Sequence, residues 1–397
     1  MQQTIFDVLY PKYKITKPIR LIELFGGYGS QALALKYLGV EFEHWKLVEW
    51  AIKSIQAYKD IHFENTVIHP LAFTNISKEQ LVDALYKKGV SSNYNEPMTK
   101  QQLSRLSEYQ LQTIAENCYI TNNLVNIQQV KGKDLEIVDT DKYDYILTYS
   151  FPCQDLSLAG KGKGMSDTST RSGMLWEVER ILTECKELGT LPQILLMENV
   201  PQVHGADNVN DFNKWQLRLE ELGYKNYFQD LIATDYGIPQ TRNRTFMISI
   251  LGDYSYTFPK PIPLKLKLKD MLEDNVDEKY YLPEKYYKNI EYFEDNKNQI
   301  AYLNYSKQEQ SNRVWNIENI SPTLCASYKA NDYLQNIKIK IKDKIRVLTC
   351  KESFRLMGVK DEDYEKCAKN QSDSSLYHLA GDSIVVNVLM AIFKELL

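Results

Sequence analysis

The stretch from Arg20 to Trp50 limits the possible folds more tightly than any other. "RLIELF" is an apolar run of strand type, "GGYG" breaks it, and "SQALALKYLG" has the composition of a helix ending at Gly39. "WKLVEW" then reads as a second strand closed by Glu49 and Trp50. Strand, tight turn, helix and strand within about 30 residues make a βαβ unit, whose two strands lie parallel. A parallel sheet must be covered on both faces, so the fold class is α/β with a doubly wound sheet. With 397 residues the chain exceeds one minimal core, and two domains are expected.

The same rhythm returns further on. "KYDYILTY" reads as a strand, and Met174, Val178, Ile181, Cys185 and Leu188 recur at helical spacing. "QILLMENV" is continuously apolar, as a central strand should be, and "NYFQDLIA" and "RTFMISIL" read as two more strands. Between them, Phe212, Trp215, Leu219 and Leu222 mark a helix closed by Gly223. Residues 70–130 interrupt this pattern. Ser77 with Gln80 and Thr99 with Gln102 form capping-box spacings, so the segment reads as a helical insertion. At "FPKPIPLKLKLKD" the composition changes, and 258–320 lacks clean periodicity. That region reads as a second, smaller domain. Thr349 and Glu352 form another capping box, and "DSIVVNVLMAIFKELL" reads as a closing amphipathic helix.

Four places carry candidate chemistry. Gly27-Tyr28-Gly29-Ser30-Gln31-Ala32 fits G-x-G-x-x-A after a strand, and Glu49 follows Gly29 by 20 positions. Such a turn brings backbone close to a ligand, and the acid suits a ribose hydroxyl; a dinucleotide and S-adenosylmethionine satisfy it equally. A plain tight turn is the competing account. Cys153, in "SFPCQDLS", follows a proline at the lip of a strand and precedes a loop carrying Gly160, Gly162, Gly164, Lys161, Lys163 and Arg171. Thiolates are favoured near basic groups, while structural cysteines are buried and inert. The loop suits a lid over substrate, or is an ordinary solvated loop. Glu198 ends the strand "LLMENV" and would share a crevice with Cys153, because ligands gather beyond the carboxyl ends of parallel strands. Burial would favour its protonated form and an acid role, against the plainer reading of a salt-bridged Glu. Gln240, Arg242 and Arg244 alternate in "PQTRNR", which places them on one face of an extended segment. That face could grip phosphates or form a salt-bridge edge.

The formal net charge of −4 gives no global attraction to nucleic acid, so any such binding needs locally gathered lysines and arginines. The six cysteines make no C-x-x-C pair, which argues against a disulfide scaffold or a metal site. The opening "MQQTIFDVLYPKYK" has no apolar signal core, and no run is long and apolar enough to span a bilayer. A reducing cytoplasm and no membrane partner are expected.

Taken in order, "FGGYG", "VEW", "FPCQDLS", "MENV", "PQTRNR", "SPTLCAS", "RVLTCKESFRLMG" and "AGDSIVVNVLMAIF" resemble the DNA cytosine-5 methyltransferase family. The likeness runs from Leu21 to the C-terminus, apart from 70–130 and 258–320. It implies a Rossmann-like S-adenosylmethionine-dependent catalytic domain over 1–257, a target-recognition domain over 258–320, and a return segment over 321–397. Phe25, Gly27 and Gly29 would wrap the methyl donor, Glu49 would bind its ribose, Trp50 would lie on its adenine, and Asp134 would read the adenine amino group. Pro152, Asp382 and Ser383 would border the same pocket. Cys153 would be the nucleophile, Glu198 would bond the cytosine N3 and amino edge, and Arg244 would contact its O2. Arg242 would help to hold that site. Gln154, Ser157, Lys161, Lys163, Arg171 and Gln240 would face DNA.

The resemblance further implies double-stranded DNA as substrate, a flipped cytosine, a monomer, and a bacterial or phage restriction–modification setting with a paired endonuclease. Three departures stand out. Asp382 occupies a position where the family often has Asn, Cys350 one where it often has Pro, and Ala159 a loop position that can be polar. An RNA cytosine methyltransferase, a catalytically silent nucleic-acid binder and a nicotinamide oxidoreductase are the competing classes.

Overall fold

A computed structural model describes the chain except residues 1–10, 67–75, 152–171, 289, 291, 297, 304–311 and 328–334. Pro152, Cys153, Gln154, Ser157, Ala159, Lys161, Lys163 and Arg171 therefore lie outside the described residues. The chain divides into two compact units. One comprises Met1–Leu231, Asn243–Pro259 and Met390–Leu397; the other comprises Ile232–Arg242 and Lys260–Leu389.

The first unit is built on the expected βαβ element. β1 (Ile19–Leu24) leads through the glycine turn to α1 (Ser30–Tyr37), β2 (Phe42–Val48) and α2 (Ile52–His62). Gly39, just past α1, has φ 71°, the left-handed conformation that ends a helix and that glycine adopts without a Cβ clash. After the insertion come β3 (Asp144–Tyr149), α6 (Leu175–Glu187), β4 (Ile194–Asn199), α7 (Val209–Leu222), β5 (Tyr224–Ile232) and β6 (Asn243–Leu251). The six strands form one sheet in the order β2-β1-β3-β4-β6-β5. β2, β1, β3 and β4 run parallel, and β6 is antiparallel to β4. Every residue of β1, β3 and β4 is buried, which is why apolar residues dominate these strands. Leu147 and Leu195 from the sheet pack with Val178 and Ile181 of α6 and Trp215 of α7 in one core. Each such side chain contributes about 1.5–3 kcal/mol by its burial. Leu188, expected on the stripe of α6, falls on the residue after it and is 54% exposed.

The insertion contributes α3 (Lys78–Lys88), α4 (Lys100–Ser104) and α5 (Glu108–Ile120). The capping boxes at Ser77/Gln80 and Thr99/Gln102 are both closed. The expected single helix after Thr99 is two, because Ser107 and Gln110 close a third capping box and start α5 afresh.

The second unit holds a five-stranded sheet in the order β11-β10-β9-β8-β7. Its strands are β7 (Tyr292–Asn296), β8 (Gln299–Tyr302), β9 (Arg313–Trp315), β10 (Lys338–Ile341) and β11 (Lys344–Val347). Strands of three to five residues are too short to show a period, which explains why 258–320 looked irregular. The sheet also takes strands from 338–347, beyond that span. The helices of this stretch are α8 (Cys350–Arg355), α9 (Asp361–Ala368), α10 (Asp373–Gly381) and α11 (Val386–Leu396). The capping box at Thr349/Glu352 is closed, and Glu352 also pairs with Arg346, both buried. The closing helix begins at Val386 rather than at Asp382. Among the described residues, no single helix is long and apolar enough to cross a membrane.

Candidate active site

β1 ends in a turn of alternating left-handed residues: Phe25 at φ 57°, Gly27 at 55° and Gly29 at 83°. A Cβ on Gly29 would collide with His62 and lie 2.7 Å from Tyr58, so both conformation and space require glycine there. A Cβ on Gly27 would meet nothing within 4 Å, so the turn opens onto space at that residue. Phe25 is half-buried against the sheet core and donates its amide to the Val48 carbonyl at 2.8 Å.

Glu49 stands one residue past β2, beside this turn. Its Oε2 accepts the Gly27 amide at 3.0 Å, and its Oε1 accepts the Ala51 amide at 2.8 Å. Two main-chain donors thus fix the carboxylate at the open lip. Trp50 is half-buried against the core of the insertion. Asp134 is partly exposed in a 3₁₀ turn and accepts the Lys131 amide at 2.9 Å. An open glycine turn beside an anchored carboxylate fits the sugar of a nucleoside-containing donor.

Beneath the turn lies a buried polar cluster that the sequence reading missed. Glu23 is fully buried; its Oε2 accepts from the Tyr58 hydroxyl at 2.5 Å and its Oε1 from the Ala32 amide at 3.4 Å. Burial pushes its carboxyl up to about 7, against the two hydrogen bonds. His44 bonds the Tyr58 hydroxyl at 2.8 Å, and burial lowers it to about 4. Burial also holds His62 well below its ordinary value.

The second constellation sits at the ends of β3, β4 and β6. Tyr149 pairs with Met197 in the parallel ladder, so Ser150 arrives beside Glu198. The antiparallel ladder sets Glu198 opposite Phe246. Arg244, two residues away on the same face, is then a diagonal neighbour within reach of a long side chain. Its Nε lies 3.2 Å from Glu198 Oε1, while the Ser150 hydroxyl donates to Glu198 Oε2. Glu198 is 6% exposed, a buried carboxylate with an ionic partner on one oxygen and a hydroxyl on the other. Asn199 donates to the Phe151 carbonyl at 3.0 Å and accepts the Val200 amide at 2.8 Å. It thereby fixes the backbone immediately before Pro152 and Cys153. Ser150 immediately precedes "FPCQDLS" and Asn199 lies within "MENV", yet only the strand register shows what they touch.

Gln240, expected to face DNA, is placed differently from expectation. It is completely buried; its amide donates to the Leu356 carbonyl at 2.8 Å and accepts the Leu324 amide at 3.0 Å. Such a residue holds backbone and does not present an edge to DNA. Arg242 is also buried, with Nη1 donating to Leu324 and Nη2 to Gly381 and Ser383 carbonyls at 2.7–3.1 Å. Those contacts make it a brace between chain segments of the second unit and remove it from direct chemistry. Asp382 is exposed at the end of α10, and the Ser383 hydroxyl donates to the Ala380 carbonyl at 3.1 Å. Of the described cysteines, only Cys325 is exposed. Burial pushes the Cys118 and Cys185 thiols up to about 12, as inert thiols should be, and raises Cys350 as well.

Comparison with known proteins agrees with this geometry. The family described as C-5 cytosine-specific DNA methylase matches residues 99–397. The orphan methyltransferase M.SssI of Spiroplasma monobiae is 34% identical over 393 residues, covering 96% of this chain and 98% of that one. The type II methyltransferase M2.ScrFI of Lactococcus lactis is 34% identical over 384 residues, covering 95% and 99%. In fold, the chain is similar to the S. pombe Dnmt2 methyltransferase, with a TM-score of 0.61 at 16% identity over 95% of this chain and 98% of that one. With most of its length matched by the family and by relatives above 30% identity, the chain belongs to the C-5 cytosine-specific DNA methylases.

Proposed function

We propose that this methylase transfers a methyl group from S-adenosyl-L-methionine to C5 of a cytosine in a specific duplex DNA sequence, with Cys153 as nucleophile. The observation that best supports this assignment is Glu198, buried at a strand end with Arg244 on one oxygen and Ser150 on the other. A flipped cytosine offers N3 and its amino group to that carboxyl and O2 to the guanidinium. The open turn at Gly27 and the anchored Glu49 would hold the donor, with Phe25, Trp50 and Asp134 as further contacts.

C5 of cytosine is too poor a nucleophile to be methylated directly. The Cys153 thiolate adds to C6, and the electrons displaced from the C5–C6 bond make C5 nucleophilic. Glu198 accepts from the amino group and, when protonated, donates to N3; passing that proton to N3 neutralises the charge that addition drives into the ring, and the proton leaves N3 again as C5 takes up the methyl. S-adenosyl-L-methionine supplies the sulfonium methyl that C5 takes up. Loss of the C5 proton to a base and expulsion of the Cys153 thiolate restore the aromatic ring. The base must leave the helix for this to happen, because C6 is inaccessible within the stack.

The region 258–320 serves as the target-recognition element in this reading, with its lysines and those at 161 and 163 supplying local positive charge. The protein acts as a cytoplasmic monomer. The type II relative favours a restriction–modification setting with a paired endonuclease, and the orphan relative favours a solitary enzyme. Incubation of the full chain with tritiated S-adenosyl-L-methionine and mixed-sequence duplex DNA should yield 5-methylcytosine, and mapping the product gives the recognition sequence. Labelling of RNA in place of DNA, or label at another base, would overturn the assignment.

A further inference from the structure

The helical insertion grips the residues proposed to hold the donor. Beyond Val48 the β2 ladder ends, so the peptide groups of Glu49, Trp50 and Ala51 need other partners. The insertion supplies them from two sides. On one side the Ser91 amide donates to the Trp50 carbonyl at 2.7 Å, and the Ile52 amide donates to the Ser91 carbonyl at 2.9 Å, bracketing Ala51. On the other side stands Asn123, 4% exposed. Its Oδ1 accepts the Glu49 amide at 3.1 Å and its Nδ2 donates to the Glu49 carbonyl at 2.9 Å. The side-chain amide thus mimics a neighbouring strand at a single residue. Its own position is locked, because Oδ1 also accepts the Val125 amide at 2.9 Å and the Leu124 amide donates to the Leu47 carbonyl at 2.8 Å. Trp50, Ile52 and Ile55 complete the attachment by packing against Leu81, Leu85, Val90 and Leu103 of the insertion. Asn117 donates to Gln56 of α2 at 2.7 Å as a further tie.

We infer that Asn123 is a positioning residue for methyl-donor binding, and that the insertion is the outer wall that aims Glu49 at the donor. The inference rests on the reading that Glu49 binds the donor. Asn123 touches only the backbone of Glu49, so its effect passes through the direction of that carboxylate. An acceptor and a donor at amide spacing are both needed, and neither Asp nor Ser supplies the pair.

Titration of S-adenosyl-L-methionine into the full chain and its variants, with transfer kinetics on duplex DNA, tests this. Asn123→Ala should raise the donor dissociation constant and KM about tenfold while kcat at saturating donor stays within about twofold. Asn123→Asp, which keeps the acceptor and loses the donor, should fall between and covers the case in which the alanine variant does not fold. In a Glu49→Ala background the Asn123→Ala effect on donor affinity should disappear, since a residue that works through Glu49 has nothing left to aim. A folded Asn123 variant with donor affinity within twofold of wild type overturns the inference, as does an equal loss in both backgrounds. Unchanged affinity in Glu49→Ala alone overturns it differently, by removing Glu49 from the donor site.

Discussion

Two carboxylates close two strands of the same sheet, and they are held in opposite ways. Glu49 spends both oxygens on main-chain amides, those of Gly27 and Ala51. Glu198 is held by side chains, the Ser150 hydroxyl and the Arg244 guanidinium. The first arrangement is built into the turn and cannot be dismantled by replacing a single partner side chain. The second can be taken apart one group at a time. An acid that only has to orient a bound sugar is suited to rigid backbone. One that must respond to charge developing in a ring is suited to a network of hydrogen bonds.

The largest expected effect lies on the Glu198 side. Glu198→Gln should lower kcat by about 10²–10⁴-fold, the usual contribution of an acid–base group, and leave donor affinity unchanged. A loss of donor affinity of the same size would merge the two sites and break the contrast. Glu49→Ala should show the converse, with the donor dissociation constant raised about 10–100-fold, as expected for loss of charge-assisted hydrogen bonds worth about 1.5–3 kcal/mol. Its kcat at saturating donor should change little.

Ser150→Ala removes one neutral hydroxyl from Glu198 and should lower kcat about 3–10-fold, with Ser150→Thr restoring most of it. Equal loss in a Glu198→Gln background would show that Ser150 acts elsewhere.

A separate effect is on stability and not on turnover or binding. Glu23 titrates near 7 when folded and near 4.5 when unfolded. Both states hold the proton below about 4.5, and only the folded state holds it between there and about 7. Its contribution is therefore complete at low pH and is lost as pH rises through that window, by about 3 kcal/mol. His44 and His62, neutral when folded, act in the opposite sense below about 6.5. The stability difference between wild type and Glu23→Gln cancels the histidines and should shrink as pH rises from 4.5 to 7. Urea melts across that range would expose a flat difference if Glu23 were an ordinary carboxylate.

Much of the first unit was legible because local pattern and tertiary burial agree there. β1, β3 and β4 are buried at every position and mostly apolar since both their faces are covered, and the glycine turn has to be glycine where Tyr58 and His62 crowd it. The break before α5 was visible in principle at Ser107 and Gln110. Strands such as Arg313–Trp315 were hidden because three residues carry no period. At the site, Glu49, Glu198 and Arg244 showed themselves by type and by position at strand ends. Asn123, Ser150 and Asn199 did not, because they act on backbone or on a neighbour fixed only by strand register. Gln240 and Arg242 misled for the complementary reason. Polar side chains in an extended segment suggest an exposed face, yet here they are buried and satisfy carbonyls and an amide.

The most direct test of the central claim is covalent capture on duplex DNA carrying 5-fluorocytosine at the mapped target, in the presence of S-adenosyl-L-methionine. Fluorine at C5 cannot leave as the proton does, so the Cys153–C6 bond cannot be released once the methyl is in place. Wild type should form a denaturant-stable protein–DNA adduct, and Cys153→Ser should form none. Capture of the serine variant, or efficient methylation by wild type with no adduct on the fluorinated duplex, would contradict the account.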